Sequence, residues 1–195
     1  MKMDCLILGA YQTNCYILRK GDTATDCLLI DTGLNACGLI DFLHKHKLNP
    51  LAIVLTHDHA DHIAGIPLLC ENFPHIKVYI HKLAAEAPGT EPTVLFIDDG
   101  DVIEHAGIKL KVFHTPGHTP TGICLYSQDE AIIFTDDTLF ADSVGRSDLP
   151  GGNRNHLINS IKQKLLTLPD DTVVYPGHGP STTIAQEKAT NPFLQ

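Results

Sequence analysis

Read for its apolar and polar positions, the chain breaks into many short segments. Short apolar, β-branched or aromatic runs bounded by turn-forming residues fall at 4–8, 15–18, 27–30, 53–55, 78–80, 109–113, 123–126, 131–134 and 172–175. Each predicts a strand. Between them the apolar residues recur at helical spacing over 37–46, 63–71, 155–168 and 183–189. In the third of these, Leu157, Ile158, Ile161, Leu165 and Leu168 share one face. Strands and helices alternate through both halves, which predicts an α/β fold rather than a helical bundle.

No fixed-period repeat, low-complexity tract or long linker divides the 195 residues, so one domain over 1–195 is expected; the loosest stretch is the Pro/Gly-containing segment 87–93. At this length folding buries roughly 70% of the extended chain's surface, enough for a core without staples. A hydrophobic content of 43%, a charged content of 19% and a mean hydropathy near zero exclude disordered, fibrous and membrane classes. The run 5–10 is short and lacks a cleavage site, and no later run approaches the roughly 18 apolar residues of a span, so a cytoplasmic location is expected. Six cysteines without a C-x-x-C pair read as reduced, mostly buried thiols. Fourteen basic against 23 acidic residues give a net charge of −9, with no basic stripe to neutralise phosphates; neither nucleic acid nor membrane is an expected partner.

Histidine changes the picture, because 12 occur and imidazole is the commonest metal ligand. The strand-like Ile53-Val-Leu-Thr runs directly into His57-Asp-His59-Ala-Asp61-His62. From the overall frequencies of His and Asp, these four residues arise at a given start with a chance of about 2 × 10⁻⁵. In a helix His57 and His59 would point about 200° apart, so the ligands belong on an irregular turn after a strand. Such a turn can aim His57 and His59 at one metal and Asp61 and His62 at a neighbouring one. Three later segments also put a polar ligand candidate after an apolar run: Phe113-His-Thr-Pro-Gly-His118, Ile133-Phe-Thr-Asp-Asp137 and Val174-Tyr-Pro-Gly-His178. Strand ends converging on one rim would assemble a site. Pro116-Gly117 and Pro176-Gly177 set the turns from which His118 and His178 emerge.

Together with Gln12-Thr-Asn-Cys-Tyr16, Ile30-Asp-Thr-Gly33, Thr115-Pro-Gly-His-Thr-Pro120, Asp137-Thr-Leu-Phe140, Gly145-Arg-Ser-Asp-Leu-Pro-Gly-Gly152 and Tyr175-Pro-Gly-His-Gly-Pro180, the sequence resembles the metallo-β-lactamase-fold superfamily. Within it the chain is most similar to short, single-domain glyoxalase II-like (hydroxyacylglutathione hydrolase-like) enzymes. The resemblance implies an αββα sandwich, two mixed sheets flanked by helices, with a two-metal site at one edge. His57, His59 and His118 would hold one divalent ion, Asp61, His62 and His178 the other, with Asp137 bridging. Zinc is the first candidate and iron or manganese the others. The chain departs from the family's common pattern at Asp136, where Gly usually precedes the bridging aspartate, and in loop positions Thr121 and Asp142. Only 17 residues follow His178, whereas longer glyoxalase II enzymes carry a helical domain with glutathione contacts, so a more open thioester pocket is expected.

Two divalent ions lower the pKa of a bridging water from 15.7 towards about 7 and polarise a carbonyl. The implied chemistry is hydrolysis by a metal-bridging hydroxide, with Asp61 and Asp137 as the catalytic carboxylates. A thiolate leaves readily because thiol pKa values lie near 8.5, so a thioester suits a site without an evident general acid. Two divalent ions, two carboxylates and one hydroxide leave a surplus of one positive charge, which favours an anionic acylglutathione such as S-lactoylglutathione. Arg146 can clamp the substrate carboxylate with Asp148 orienting it, or the two can form an ordinary surface ion pair. Asn14, Tyr16 and Tyr175 receive no role. The rival reading is a persulfide dioxygenase-like oxidoreductase with one iron held by His59 or a neighbouring His, His118 and Asp137. A non-catalytic metal-binding protein has no use for seven ligands around a water. Nucleases of this superfamily usually carry an added domain and a basic surface, and a β-lactamase sits poorly with the expected cytoplasmic location.

Overall fold

A computed structural model of the protein describes residues 1–84 and 94–195; the expected loose segment 87–93 lies outside them. The chain divides into two compact units, Met1–Ile97 with Ile103–Lys109, and Asp98–Val102 with Leu110–Gln195.

The first unit is built on a six-stranded sheet in chain order: β1 (Lys2–Leu8), β2 (Thr13–Arg19), β3 (Asp26–Ile30), β4 (Asn49–Val54), β5 (Lys77–His81) and β6 (Val94–Ile97). The first three strands run antiparallel, as tight connections allow, and β3 to β6 are parallel. Parallel neighbours need crossovers, supplied by α1 (Cys37–Lys45) between β3 and β4, and by α2 (Ala60–Ile63) and α3 (Ile66–Asn72) between β4 and β5. The apolar face of α1 (Leu39, Ile40, Leu43) and that of α3 (Ile66, Leu69, Cys70) bury against Ile17, Leu29, Ile53 and Val78 of the sheet. The expected helix over 63–71 is two pieces. Pro67, in the first turn of α3, lacks the N–H that a continuous helix would use, so winding restarts there.

The second sheet is completed by β7 (Val102–His105), β8 (Ile108–His114), β9 (Ile123–Ser127), β10 (Ile132–Asp136), β13 (Val173–Pro176) and β14 (Thr182–Thr183), in the order β14-β13-β10-β9-β8-β7. Between β10 and β13 lie the small hairpin β11 (Leu139–Phe140) and β12 (Ser143–Val144) and the helix α4 (Arg154–Ser160); α5 (Ile184–Thr190) follows β14. Strand β10 is parallel to β13, and α4 provides that crossover. The expected helix over 155–168 changes winding after Ser160: Ile161–Leu165 is a π turn, with Leu166 N–H donating to Ile161 O at 2.9 Å. Leu157, Ile161 and Leu165 repeat every four residues, a spacing that α winding lets drift by about 40° per step. The wider turn keeps all three on the core with Cys124, Ile133, Val174 and Ile184.

All nine expected strands are present, with ends shifted by up to four residues. The strands not expected, β6, β7, β11, β12 and β14, are two to four residues long, too short for periodicity to register. None of the six cysteines is in a disulfide, and four are buried. Among the described residues no helix is long and apolar enough to cross a membrane.

In the first unit the Tyr79 hydroxyl and His105 Nε2 lie 2.8 Å apart. Burial first, and then Lys77, hold the His105 pKa below its ordinary value. Its folded pKa is therefore below its unfolded one, so stability is fully present above the unfolded value of about 6.5 and is lost as pH falls through the folded pKa. Chemical denaturation at pH 7.5 and pH 5 is expected to show this loss, and His105→Gln to remove this residue's share of it.

Candidate metal centre

In the first unit, β4 ends at Val54 and delivers Thr56 and His57 directly behind it. His57 Nε2 and His59 Nδ1 stand 2.9 Å apart. Asp61 and His62 lie on the single turn of α2 rather than on an irregular loop, with His62 Nε2 3.5 Å from Asp61 Oδ2. The Thr13 hydroxyl donates to the same Asp61 oxygen at 3.3 Å.

The Ile30-Asp-Thr-Gly33 segment secures this cluster. Asp31 is buried and accepts from Thr56 N–H at 2.9 Å and from the Thr56 hydroxyl at 2.7 Å; its Oδ2 also lies 2.9 Å from His62 Nδ1. A carboxylate oxygen only accepts, so His62 carries its proton on Nδ1 and presents Nε2 as a lone pair. Thr32 holds the backbone of the same residue, its N–H and its hydroxyl each donating to His62 O at 2.9 Å.

In the second unit, His118 Nε2 lies 3.4 Å from Asp137 Oδ2, and His178 Nε2 lies 3.6 Å from Asp137 Oδ1. One carboxylate thus meets an imidazole with each oxygen. His118 Nδ1 is 2.8 Å from Arg146 O, so a carbonyl fixes this tautomer as a carboxylate fixes that of His62. Helix α4 grips the turn before His118: Ser160 donates to Pro116 O at 2.9 Å and Asn153 N–H to Gly117 O at 2.7 Å. A Cβ on Gly117 would fall 2.3 Å from Leu157 Cα, and one on Gly145 would fall 1.8 Å from Asp137 O, so neither position accepts a side chain.

The hairpin carrying Asp137 towards Arg146 is pinned from the C-terminal helix. Glu187 is fully buried and accepts from Asp142 N–H at 3.1 Å, the Thr182 hydroxyl at 2.6 Å and the Asn191 side-chain amide at 2.7 Å. Asn191 Nδ2 also donates to Ser143 O at 3.0 Å.

Two ligand atoms bound tetrahedrally at about 2.0–2.1 Å from a cation are about 3.3–3.4 Å apart. The three His–Asp separations, 3.4, 3.5 and 3.6 Å, match that spacing, and the His57–His59 pair needs to open by only a few tenths of an ångström. The donor set, imidazoles of which His62 and His118 have their tautomers fixed for ligation, plus carboxylates, therefore fits divalent metal within each cluster.

The Arg146 side chain is exposed and forms a two-pronged pair with Asp148, at 3.0 and 2.9 Å. Hydrogen bonding from Arg146 holds the Asp148 carboxyl below the usual range. Asn14 and Tyr16 are buried on β2, and Tyr175 stacks on Phe134. Asp31, Thr32 and Glu187 carry the positioning, and no role was expected for them. The Ile30-Asp-Thr-Gly33 motif marked the first two, whereas nothing local marks Glu187.

Residues 8–178 match the metallo-beta-lactamase superfamily. The chain belongs to that superfamily. Its members are generally metal-dependent hydrolases, and its fold, two mixed sheets with flanking helices, is the one described above. Relatives include the probable metallo-hydrolase YqgX of Bacillus subtilis, 37% identical over 100% of this chain and 98% of its own length. Another is the hydroxyacylglutathione hydrolase GloC of Haemophilus influenzae, 33% identical with the same coverage. Among solved structures, the BLEG-1 B3 metallo-β-lactamase is 36% identical with a TM-score of 0.89 over the whole of both chains. TTHA1623 in a di-iron-bound form is 36% identical with a TM-score of 0.84, covering 98% of this chain and 100% of that one. ETHE1 from Myxococcus xanthus is 29% identical with a TM-score of 0.85, covering 98% and 84%. Membership of this fold family implies divalent metal binding.

Asp31→Asn keeps the left-handed backbone but removes the acceptor charge behind His62. It is expected to weaken zinc affinity about 10- to 100-fold, read by competition with a chelator. Asp31→Ala is expected to cost in addition about 3 kcal/mol in urea unfolding, because the partners of a buried network lose their acceptor.

Proposed function

We propose that this protein is a metal-dependent hydrolase of thioesters, with an anionic acylglutathione such as S-lactoylglutathione as substrate. The observation that carries the reading is the pair of His/Asp clusters with ligand spacing and set tautomers. The relationship to GloC along the whole chain supports the substrate class.

In this reading residues 1–195 work as one domain. His57, His59 and His118 hold one divalent ion, Asp61, His62 and His178 the other, and Asp137 serves both. Zinc is the preferred metal, with iron or manganese as substitutes. When bound, the ions supply hydroxide near neutral pH and polarise the thioester carbonyl. Asp61, steadied by the Thr13 hydroxyl, orients the nucleophile through its carboxylate. Asp31 and Arg146 O keep His62 and His118 from offering a proton where a lone pair is needed. The Arg146 guanidinium receives the substrate carboxylate by exchanging it for that of Asp148 at an exposed position, where the existing pair is weakly held. The departing thiolate needs no protein acid. The reaction takes place in the cytoplasm, with a small molecule as the only partner and no role for nucleic acid or membrane.

The likeness to ETHE1 favours one second reading, a mononuclear iron, persulfide dioxygenase-like oxidoreductase, and the di-iron form of TTHA1623 makes iron a candidate metal in either reading. Metal analysis of the purified protein, with assays of S-lactoylglutathione, a chromogenic cephalosporin and oxygen uptake on glutathione persulfide, separates the readings. Two ions per chain and thioester turnover are expected. Asp137→Ala and His118→Ala are each expected to lower that turnover by at least about 10³-fold with an unchanged circular dichroism spectrum. Zinc is expected to restore the chelated wild type. One iron per chain with oxygen uptake, or cephalosporin turnover without thioester turnover, would overturn the proposal.

A further inference from the structure

The second unit also carries a groove, lined by β8 on one side and by α4 and the π turn after it on the other. Two adjoining cavities of about 310 and 260 Å³ form it, and Gln163 and Lys164 line both. Together they fall within the roughly 300–1,000 Å³ of small-molecule sites. None of the residues lining them is a metal-ligand candidate. On the helical side His156, Asn159, Ser160, Gln163, Lys164 and Thr167 recur at steps of three and one, which puts them on one flank beside the buried Leu157, Ile161 and Leu165. The π winding that keeps those three on the core also keeps 156, 160 and 164, spaced by the same four residues, in line along the groove.

The other wall is Lys111, Phe113 and His114 of β8 with the turn 98–101, which is bonded to β8: Gly100 N–H donates to Val112 O at 2.9 Å, and Val112 N–H to Asp101 O at 2.8 Å. Asp99 bridges the two walls, because its Oδ1 accepts from His114 N–H at 2.8 Å and from Lys164 Nζ at 2.6 Å. The Lys164 ammonium is thereby held where the cavities meet. Lys111 Nζ lies over the Phe113 ring, 5.6 Å from its centroid. Among the described residues Asp99 is the one carboxylate lining either cavity, so two ammonium groups leave one positive charge there, on a chain of net charge −9.

We infer that this groove is a second binding site, for a small phosphate-bearing molecule. Lysine is a compact point donor that suits the tetrahedral oxygens of phosphate, whereas the planar fork of arginine suits carboxylate. Lys111 and Lys164, both lining the smaller cavity, receive the phosphate. The organic body extends into the larger one, over Pro116 and along the side-chain amides of Asn159 and Gln163 to the exposed His156. Two lysines suffice for one phosphate and not for a row of them, so the ligand is a small molecule rather than nucleic acid. The site adjoins the support of His118, since Ser160 in the larger cavity donates to Pro116 O, and it shares no ligand with the metal clusters. The inference does not rest on the hydrolase reading.

The test titrates the zinc-loaded protein with inorganic phosphate and with phenyl phosphate, followed by calorimetry and by backbone amide shifts in NMR. Phenyl phosphate is expected to saturate a site with a Kd of about 1 mM or below, and inorganic phosphate to bind several-fold more weakly. The shifts are expected to concentrate at 111–114 and 156–167. Lys111→Gln and Lys164→Gln are each expected to weaken binding about tenfold, with zinc content and circular dichroism unchanged. Lys111→Gln leaves the Asp99–Lys164 bridge intact, so it reads the ligand contact alone. Affinity within about twofold of wild type in both variants, with shifts at 57–62 and 178 instead, marks an anion bound at the metal and overturns the inference. Weakening by Lys164→Gln alone overturns it too, since the bridge is then a support of the fold. So does a failure of both probes to saturate.

Discussion

A histidine binds a cation only through a nitrogen that has no proton, and an imidazole left to itself places its proton on either side. The protein settles that choice from behind the ring. His62 donates its Nδ1–H to the buried carboxylate of Asp31, and His118 donates its own to a backbone carbonyl, Arg146 O. The acceptors differ in kind, and the difference has an energetic meaning. A carboxylate strengthens the basicity of the ring it meets and must itself be kept satisfied, which Thr56 does through its N–H and its hydroxyl. A carbonyl asks for no such support, but its position depends on the chain around it. The second unit accordingly commits its effort to that backbone: Gly145 without a side chain, the β11–β12 hairpin, and the α5 contacts that hold the hairpin.

The legibility of the chain follows from the same physics. Metal-ligating side chains are few in kind, so His57, His59, Asp61, His62, His118, Asp137 and His178 stood out as ligand candidates from residue type and position after apolar runs. Buried strands such as 27–30 and 53–55 were legible because a parallel strand covered on both faces reads as a short continuous apolar run. Short strands such as β11 and β14 escaped because two residues have no period. The helix over 155–168 was legible as one apolar face, but its change to π winding follows from the need to keep Leu157, Ile161 and Leu165 on the core, which becomes visible only once the sheet is there.

Residues that act on ligands from a distance were the least legible. Asp31 lies 31 positions from the ring it orients, and Glu187 lies 45 positions from the Asp142 amide it holds. Neither spacing belongs to a local motif, and a buried glutamate on a terminal helix reads from sequence as a solvated face. Arg146 was noticed for its guanidinium, whereas its carbonyl oxygen is the atom that meets the His118 ring. Backbone atoms are present at every position, so residue identity carries no trace of them.

The dependence on Glu187 and Asn191 bears on the order in which the chain is made. Asp31, Thr32, Thr56 and His57 to His62 all lie within the first 62 residues, so their network needs nothing synthesised later than its own sheet. The hairpin between Asp137 and Arg146 is pinned by Glu187 and Asn191 of α5, which come later in the chain than every ligand candidate. The network behind His62 can therefore close before the support of the second cluster has been made.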